Sequence, residues 1–278
     1  MQKVNGCIIF IMKKNKINFC TYSDSRKYTI SSKHITKLAN KSGLFEKAKI
    51  YTPRDLDNNF LKKYSKILNE KRGGGYWLWK HHLIEKEINL ASENDIIVYC
   101  DAGSSFNYYA KNRFYEYLDI LNSSEFGTFR IEGKKEHIEH HWTKKEIFDY
   151  FNFELSSEIA NTVQFMGGYL IFKKNQHTKE FLNLFKNTIN DDINLITDNL
   201  DNKIQSNNFI ETRHDQSLMS VISKIVGTAS IKNETFFKTG SHEQYDYPFL
   251  SVRHYGHGTK DRIRFYMNSK KFREPIYF

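Results

Sequence analysis

The chain has 278 residues, enough for one large domain or two small ones at about 100–200 residues each, with length to spare for a full hydrophobic core. An aromatic content of 15% with only 3 prolines and 14 glycines excludes disordered, collagen-like and linker-like chains. The formal net charge of +10 predicts attraction to a polyanion, an acidic membrane surface or a phosphorylated small molecule, without choosing among them.

Residues 1–11 read as an upstream extension of a domain spanning 12–278. The apolar run from Cys7 to Met12 is too short for a secretory signal, and no stretch nears the roughly 18 apolar residues that span a bilayer. Cys7, Cys20 and Cys100 are odd in number and widely spaced, which favours buried free thiols and a cytoplasmic location. Strands are predicted at 17–22, 48–51, 95–100, 127–131 and 169–172, the third so continuously apolar that both its faces must be buried.

Helices are predicted at 31–42, 60–68, from the Gly73-Gly74-Gly75 and Tyr76-Trp77-Leu78-Trp79-Lys80 block through 88, and at 111–121, 178–189 and 214–226. Another starts at Thr143, where Thr143-Lys144-Lys145-Glu146 has the pattern of a capping box. The asparagine-rich stretch 191–208 reads as a surface insertion, and the chain from 245 onward as irregular, basic and aromatic. Strands alternating with helices, without an internal repeat, predict a single α/β domain with a mostly parallel central sheet flanked by helices.

In open α/β sheets ligands bind beyond the carboxyl ends of the strands. The central strand ends in Asp101-Ala102-Gly103, an acidic residue followed by small ones, which gives a hard cation a ligand and lets a bulky group approach. Gly73 to Lys80 combines pliant backbone, two indoles and a cation, suited to a flat ring with a phosphate beside it; one of the two indoles is expected in the core.

These residues, in this order, resemble the GT-A class of nucleotide-sugar-dependent glycosyltransferases over most of the chain, which implies a GT-A (Rossmann-like) domain. Thr21, Tyr22 and Ser23 end what looks like the first nucleotide-binding strand, and Trp79, Lys80 and Asp101-Ala102-Gly103 look like the lysine and Asp-x-Asp region. Gln164-Phe165-Met166-Gly167-Gly168-Tyr169 is similar to the glycine-containing strand start lining the sugar and acceptor pocket. Arg213-His214-Asp215-Gln216 looks like the late helix start of the class, and His254 to Lys260 is similar to its H-x-x-G-x-x-K segment, with His257 where the glycine stands.

The resemblance implies transfer of a sugar from a nucleoside-diphosphate sugar to a hydroxyl acceptor, a glycan, polysaccharide or glycolipid. The second aspartate of Asp-x-Asp is Gly103 here. Either Mn²⁺ or Mg²⁺ is held by Asp101 with His254 or His257, or basic residues replace the metal; both options stand. Lys80 and Lys260, with Arg253 or Arg262, are candidates to stabilise the leaving diphosphate. Asp215, with His214 beside it, is the candidate to take the acceptor proton if the reaction inverts.

Three other signals are weaker. His137-Ile138-Glu139-His140-His141 lacks the glutamate position of H-E-x-x-H, although His137 and His141 could share a helix face. A single-stranded nucleic-acid binder without catalysis is the alternative class, but no recognition motif accompanies the basic charge, and no nucleic-acid partner is expected. The basic aromatic tail at 261–278 would suit peripheral contact with a membrane bearing a lipid-linked acceptor.

Overall fold

The computed structural model describes residues 15–24, 26–236 and 245–252. Its strands in chain order are β1 (Ile17–Tyr22), β2 (Lys47–Tyr51), β3 (Ile96–Cys100), β4 (Ser105–Phe106), β5 (Thr128–Ile131), β6 (Tyr169–Lys173), β7 (Ala229–Ile231) and β8 (Phe249–Leu250). Six form one sheet in the order β2-β1-β3-β6-β5-β7, while β4 and β8 make a separate antiparallel pair. The β1–β2, β1–β3 and β5–β7 pairings are parallel, and β6 is antiparallel to both neighbours. Five strands therefore run one way and β6 alone is reversed, the mostly parallel α/β architecture that the alternating pattern predicts.

Alternation along β3 explains its unbroken apolar sequence. Ile96, Val98 and Cys100 enter one core layer with Ile35 and Leu38 of the Arg26–Ser42 helix and Phe114 and Leu121 of the Lys111–Ser123 helix. Ile97 and Tyr99 enter the other, against Leu83 of the Leu78–Leu90 helix, Phe185 of the Gln176–Asp191 helix and Leu218 of the Asp215–Val226 helix. Fully burying one such side chain stabilises the fold by about 1.5–3 kcal/mol, so a strand buried on both faces is a principal source of stability. Cys20 and Cys100 are free and buried, as expected; Cys7 and the 1–11 extension lie outside the described residues.

Four expectations are corrected. The 60–68 helix is two short ones, Asn58–Lys63 and Ser65–Leu68, separated at Tyr64, whose ψ of 21° interrupts the helical path. The capping box at Thr143 does not form. Thr143 Oγ1 instead donates to Glu139 Oε1 at 2.6 Å, and Lys144 takes the cap position of the Lys145–Tyr150 helix.

The stretch 191–208 is exposed over most of its length but is not only a surface insertion, because Leu195 and Ile196 are buried in the core and the buried Lys144 ammonium grips its backbone. That ammonium donates to the carbonyls of Asn194 (2.6 Å), Thr197 (3.2 Å) and Asn199 (2.7 Å). His137 precedes the one-turn Glu139–Trp142 helix, so it shares no helix face with His141. The described part of the segment from 245 contains β8, while the 261–278 tail lies outside the described residues.

Glu139 is the buried hub of that region. Its carboxylate accepts from Thr143 Oγ1, Gln164 Nε2 (2.9 Å), Ser220 Oγ (2.5 Å) and Lys224 Nζ (2.7 Å), tying the one-turn helix to the Asp215–Val226 helix. Removing one partner of a buried pair leaves the other charge uncompensated. Glu139→Ala is expected to lower stability by about 3–5 kcal/mol in urea unfolding, with Glu139→Gln milder because it keeps an acceptor.

Candidate active site

The reversed strand assembles the site. Because β6 runs against β3, its first residues lie at the carboxyl edge of β3: Cys100 pairs with Tyr169, and the Asp101 N–H donates to the Gly168 carbonyl at 2.9 Å. The Asp215–Val226 helix starts at the same edge, packed so closely that a Cβ on Gly167 would come within 2.8 Å of Gln216 Cβ. A Cβ on Gly168 would meet Asp101 Oδ2 at 3.1 Å. Glycine at 167 is thus a requirement of close approach, and a side chain at 168 would press on Asp101.

Lys80 enters from the Leu78–Leu90 helix and is 2% exposed. Its ammonium lies 2.8 Å from Asp215 Oδ2 and 3.4 Å from Asp101 Oδ1, and donates to the Gly167 carbonyl at 3.0 Å. The Gly167 carbonyl accepts a hydrogen bond from it, and the two carboxylates flank it as opposite charges. Burial alone would lower its pKa, but Asp101 and Asp215 outweigh that and raise it, so the lysine stays charged. Lys80 therefore stands between the two carboxylates as their shared cation, and it lines the cleft itself.

The two carboxylates differ. Asp101 is partly open, its side chain 39% exposed, and Tyr99 Oη donates to its Oδ1 at 2.7 Å. Asp215 is buried, and burial pushes its pKa up to about 6 against the opposing pull of Lys80. His214 precedes it with φ 54° and ψ −117°, a backbone state costly for a non-glycine residue. Its Nδ1–H donates to the Ile196 carbonyl at 2.9 Å, burial pushes its pKa down, and the neutral ring therefore keeps its lone pair on Nε2.

A cleft of ≈ 180 Å³ opens at this edge, lined by Arg72, Trp77, Lys80, Asp101 and Gly167 and by the run from Glu211 to Gln216. Of the residues singled out in the sequence, it brings together Lys80, Asp101, Gly167, His214 and Asp215, with Gly168 against Asp101.

It does not gather the β1 residues. Thr21 is fully buried with no hydrogen-bond partner for Oγ1 among the described residues, Ser23 is buried, and Tyr22 stacks on Trp79 at 3.8 Å between ring centroids. Trp79 is the core indole, its Nε1–H donating to the Gly73 carbonyl at 3.0 Å. Ala102 is buried and Gly103 half-buried, and neither lines the cleft. His254, His257, Lys260, Arg253 and Arg262 lie outside the described residues.

The sequence reading missed Trp77, Arg72, Glu211 and Gln216 as cleft residues. Arg72 bridges Asp198 (3.2 Å) and Glu211 (2.9 Å) across the mouth, and Arg213 lies over the Trp142 ring at 3.6 Å. The signal for Trp77 was present in the two-indole block, but nothing local said which indole would face out.

Among the described residues no three His, Cys, Asp or Glu side chains group as metal ligands. Asp101 Oδ1 faces an ammonium and a phenol, and the other candidate ligands, His254 and His257, lie outside the described residues. No helix among the described residues is long and apolar enough to cross a membrane.

Replacing Lys80 with Met removes the cation that favours ionised Asp215, so the Asp215 pKa is expected to rise above its value of about 6. Carbon-detected NMR titration of labelled aspartates measures this directly. An unchanged Asp215 titration would show that Lys80 does not govern it.

No family model matches the chain, and no curated protein matches it in sequence. Among solved structures it is similar to a glycosyltransferase involved in glycosylation of the major capsid of PBCV-1, at 8% identity and a TM-score of 0.46 over 90% of this chain and 99% of that one. It is also similar to mouse xyloside xylosyltransferase 1, at 8% identity and a TM-score of 0.43 over 78% of this chain and 85% of that one. A third likeness, to mannose-6-phosphate isomerase from Helicobacter pylori, has 11% identity and a TM-score of 0.32 over 60% of this chain and 77% of that one.

Proposed function

We propose that the chain is a glycosyltransferase that moves a sugar from a nucleoside-diphosphate sugar to a hydroxyl of a glycan or lipid-linked acceptor. The observation that carries this reading is the Asp101–Lys80–Asp215 array at the carboxyl edge of β3, bordering a polar cleft. Open α/β sheets take their ligands at such edges. Of the motif residues that resemble the GT-A class, Lys80, Asp101, Gly167, His214 and Asp215 meet there although Lys80 and Asp215 are more than a hundred positions apart.

In this reading Asp215 takes the proton. The acceptor oxygen forms its bond to the anomeric carbon as the bond from that carbon to the diphosphate oxygen breaks. The hydroxyl proton passes to the Asp215 carboxylate, and the electron pair of the broken bond leaves on the diphosphate. A carboxylate with a pKa near 6 is ionised at neutral pH yet more basic than an ordinary aspartate, which suits that task. Lys80 is a positioning residue that aims both carboxylates. Lys80, Arg72 and Arg213 are the described cations that line the cleft, and in this reading their positive field stabilises the departing negative charge.

A thermal-shift screen of the full chain against nucleotide sugars, with and without Mn²⁺, tests the class, the donor and the metal together. With the donor in hand, Asp215→Asn is expected to lower kcat by about 100-fold or more and donor KM by less than about threefold either way. A pure affinity loss would assign Asp215 to binding. In the wild type, kcat/KM is expected to fall as pH drops below about 6, because protonated Asp215 cannot accept the proton. Asp101→Ala is expected to abolish transfer and to lower the melting temperature only in part, since the buried Lys80 ammonium keeps Asp215 and the Gly167 carbonyl; near-normal turnover would remove it from the mechanism.

A further inference from the structure

Gln164 is fully buried, and each of its polar groups is engaged. Its backbone N–H donates to the His137 carbonyl at 2.7 Å, and its backbone carbonyl accepts from the Gly133 N–H at 2.7 Å. Around its side-chain nitrogen stand Glu139 Oε1 (2.9 Å), Thr143 Oγ1 (3.0 Å), the Trp142 carbonyl (3.1 Å) and Ser217 Oγ (3.4 Å). All four act as acceptors. The Glu139 carboxylate is paired with the Lys224 ammonium, Thr143 spends its hydroxyl proton on Glu139, and Ser217 spends its own on the Trp142 carbonyl at 2.6 Å. The amide therefore fits one way round only, with its nitrogen toward Glu139.

That orientation is passed on. Gln164 Oε1 accepts from Gln216 Nε2 at 2.7 Å and from Arg213 Nη1 at 3.3 Å. Gln216 must turn its nitrogen to Gln164, which leaves its own Oε1 beside Gly167, where a Cβ would stand 3.1 Å from it. Arg213 is held by Gln164, by His137 Nδ1 at 3.4 Å and by the Trp142 ring beneath it. Gln216 and Arg213 line the cleft, whereas Gln164 and Glu139 do not. One buried amide thus carries the polarity of the Glu139 carboxylate to two cleft side chains.

We propose that Gln164 is a positioning residue, which sets the end of the Gln216 amide that turns to the cleft and the course of the Arg213 guanidinium. The proposal deepens the proposed glycosyl transfer and rests on that reading for the reaction it serves. In that reaction Arg213 contributes to the field that meets the departing diphosphate, so Gln164 supports turnover without itself lining the cleft.

The test compares the wild-type full chain with two variants. Gln164→Met keeps the side-chain length and removes both polar ends. Lys224→Met weakens the Glu139 hub from the other carboxylate oxygen and leaves the Gln164 link in place. Solvent exchange of the Gln216 side-chain amide protons, followed by NMR in glutamine-labelled protein, is expected to be about tenfold faster or more in Gln164→Met and within about twofold of wild type in Lys224→Met. Diphosphate release from UDP-glucose, UDP-galactose, UDP-xylose and GDP-mannose gives the second readout. In Gln164→Met kcat is expected to fall about tenfold or more, with KM within about threefold. In Lys224→Met kcat is expected to stay within about twofold of wild type although the variant melts lower.

Unchanged Gln216 exchange in Gln164→Met would overturn the positioning role. So would losses of kcat that run in step with the losses of melting temperature in the two variants. Should Gln164→Met fail to fold, the wild-type spectrum decides. Slow exchange of the Gln216 amide protons, with Overhauser contacts to the Gln164 side chain, upholds the role, and exchange as fast as that of an exposed glutamine overturns it. Failure of all four nucleotide sugars to release diphosphate would count against the transferase reading and leave the exchange measurements to decide the placement.

Discussion

A single buried ammonium organises this end of the molecule. Lys80 is shared among the edge of β3, the residues leading into β6 and the first turn of the Asp215–Val226 helix, through Asp101, the Gly167 carbonyl and Asp215. A charge withdrawn from water is tolerated only where its donors are met, and here each partner comes from a different element. The positions of those elements are therefore coupled: moving any one leaves a buried charge or carbonyl unmet. The reversal of β6 makes the coupling possible, because a sixth strand parallel to the rest would bring its far end to this edge.

The polarity of the cleft follows from the same arrangement. One carboxylate stays partly in solvent and the other is enclosed, so a single cation serves two acids of different character. That asymmetry sets this array apart from an ion pair closed off within the fold. Glu139 and Lys224 show the contrast: their charges are enclosed within a hydrogen-bonded hub away from the cleft lining, and they serve to join helices.

Local pattern made much of this legible. The strands announce themselves through continuous or alternating apolar runs, and Lys80, Asp101, Gly167 and Asp215 stand out because each follows a change of pattern at the end or start of an element. What local pattern lacks is direction. Trp77 and Trp79 are two residues apart, and which faces the cleft depends on a left-handed run whose hand is set by packing on His214. Thr21 to Ser23 end a strand as a nucleotide-binding edge would, and all three are buried, Tyr22 against the Trp79 ring. Thr143 to Glu146 spell a cap, yet Glu139, four residues upstream, competes for the threonine hydroxyl and wins because it is buried and needs every donor within reach.

Lys144 has a further consequence for how this protein can vary. Its ammonium grips the segment from 194 to 199 by main-chain oxygens alone, so it senses the course of the chain and not the identity of the residues along it. Asn194, Thr197 and Asn199 can be exchanged for other residues without depriving the lysine of an acceptor. The wall that carries Asp198 toward Arg72 thus has its path fixed from beneath by one lysine, while Leu195 and Ile196 fix it through the core.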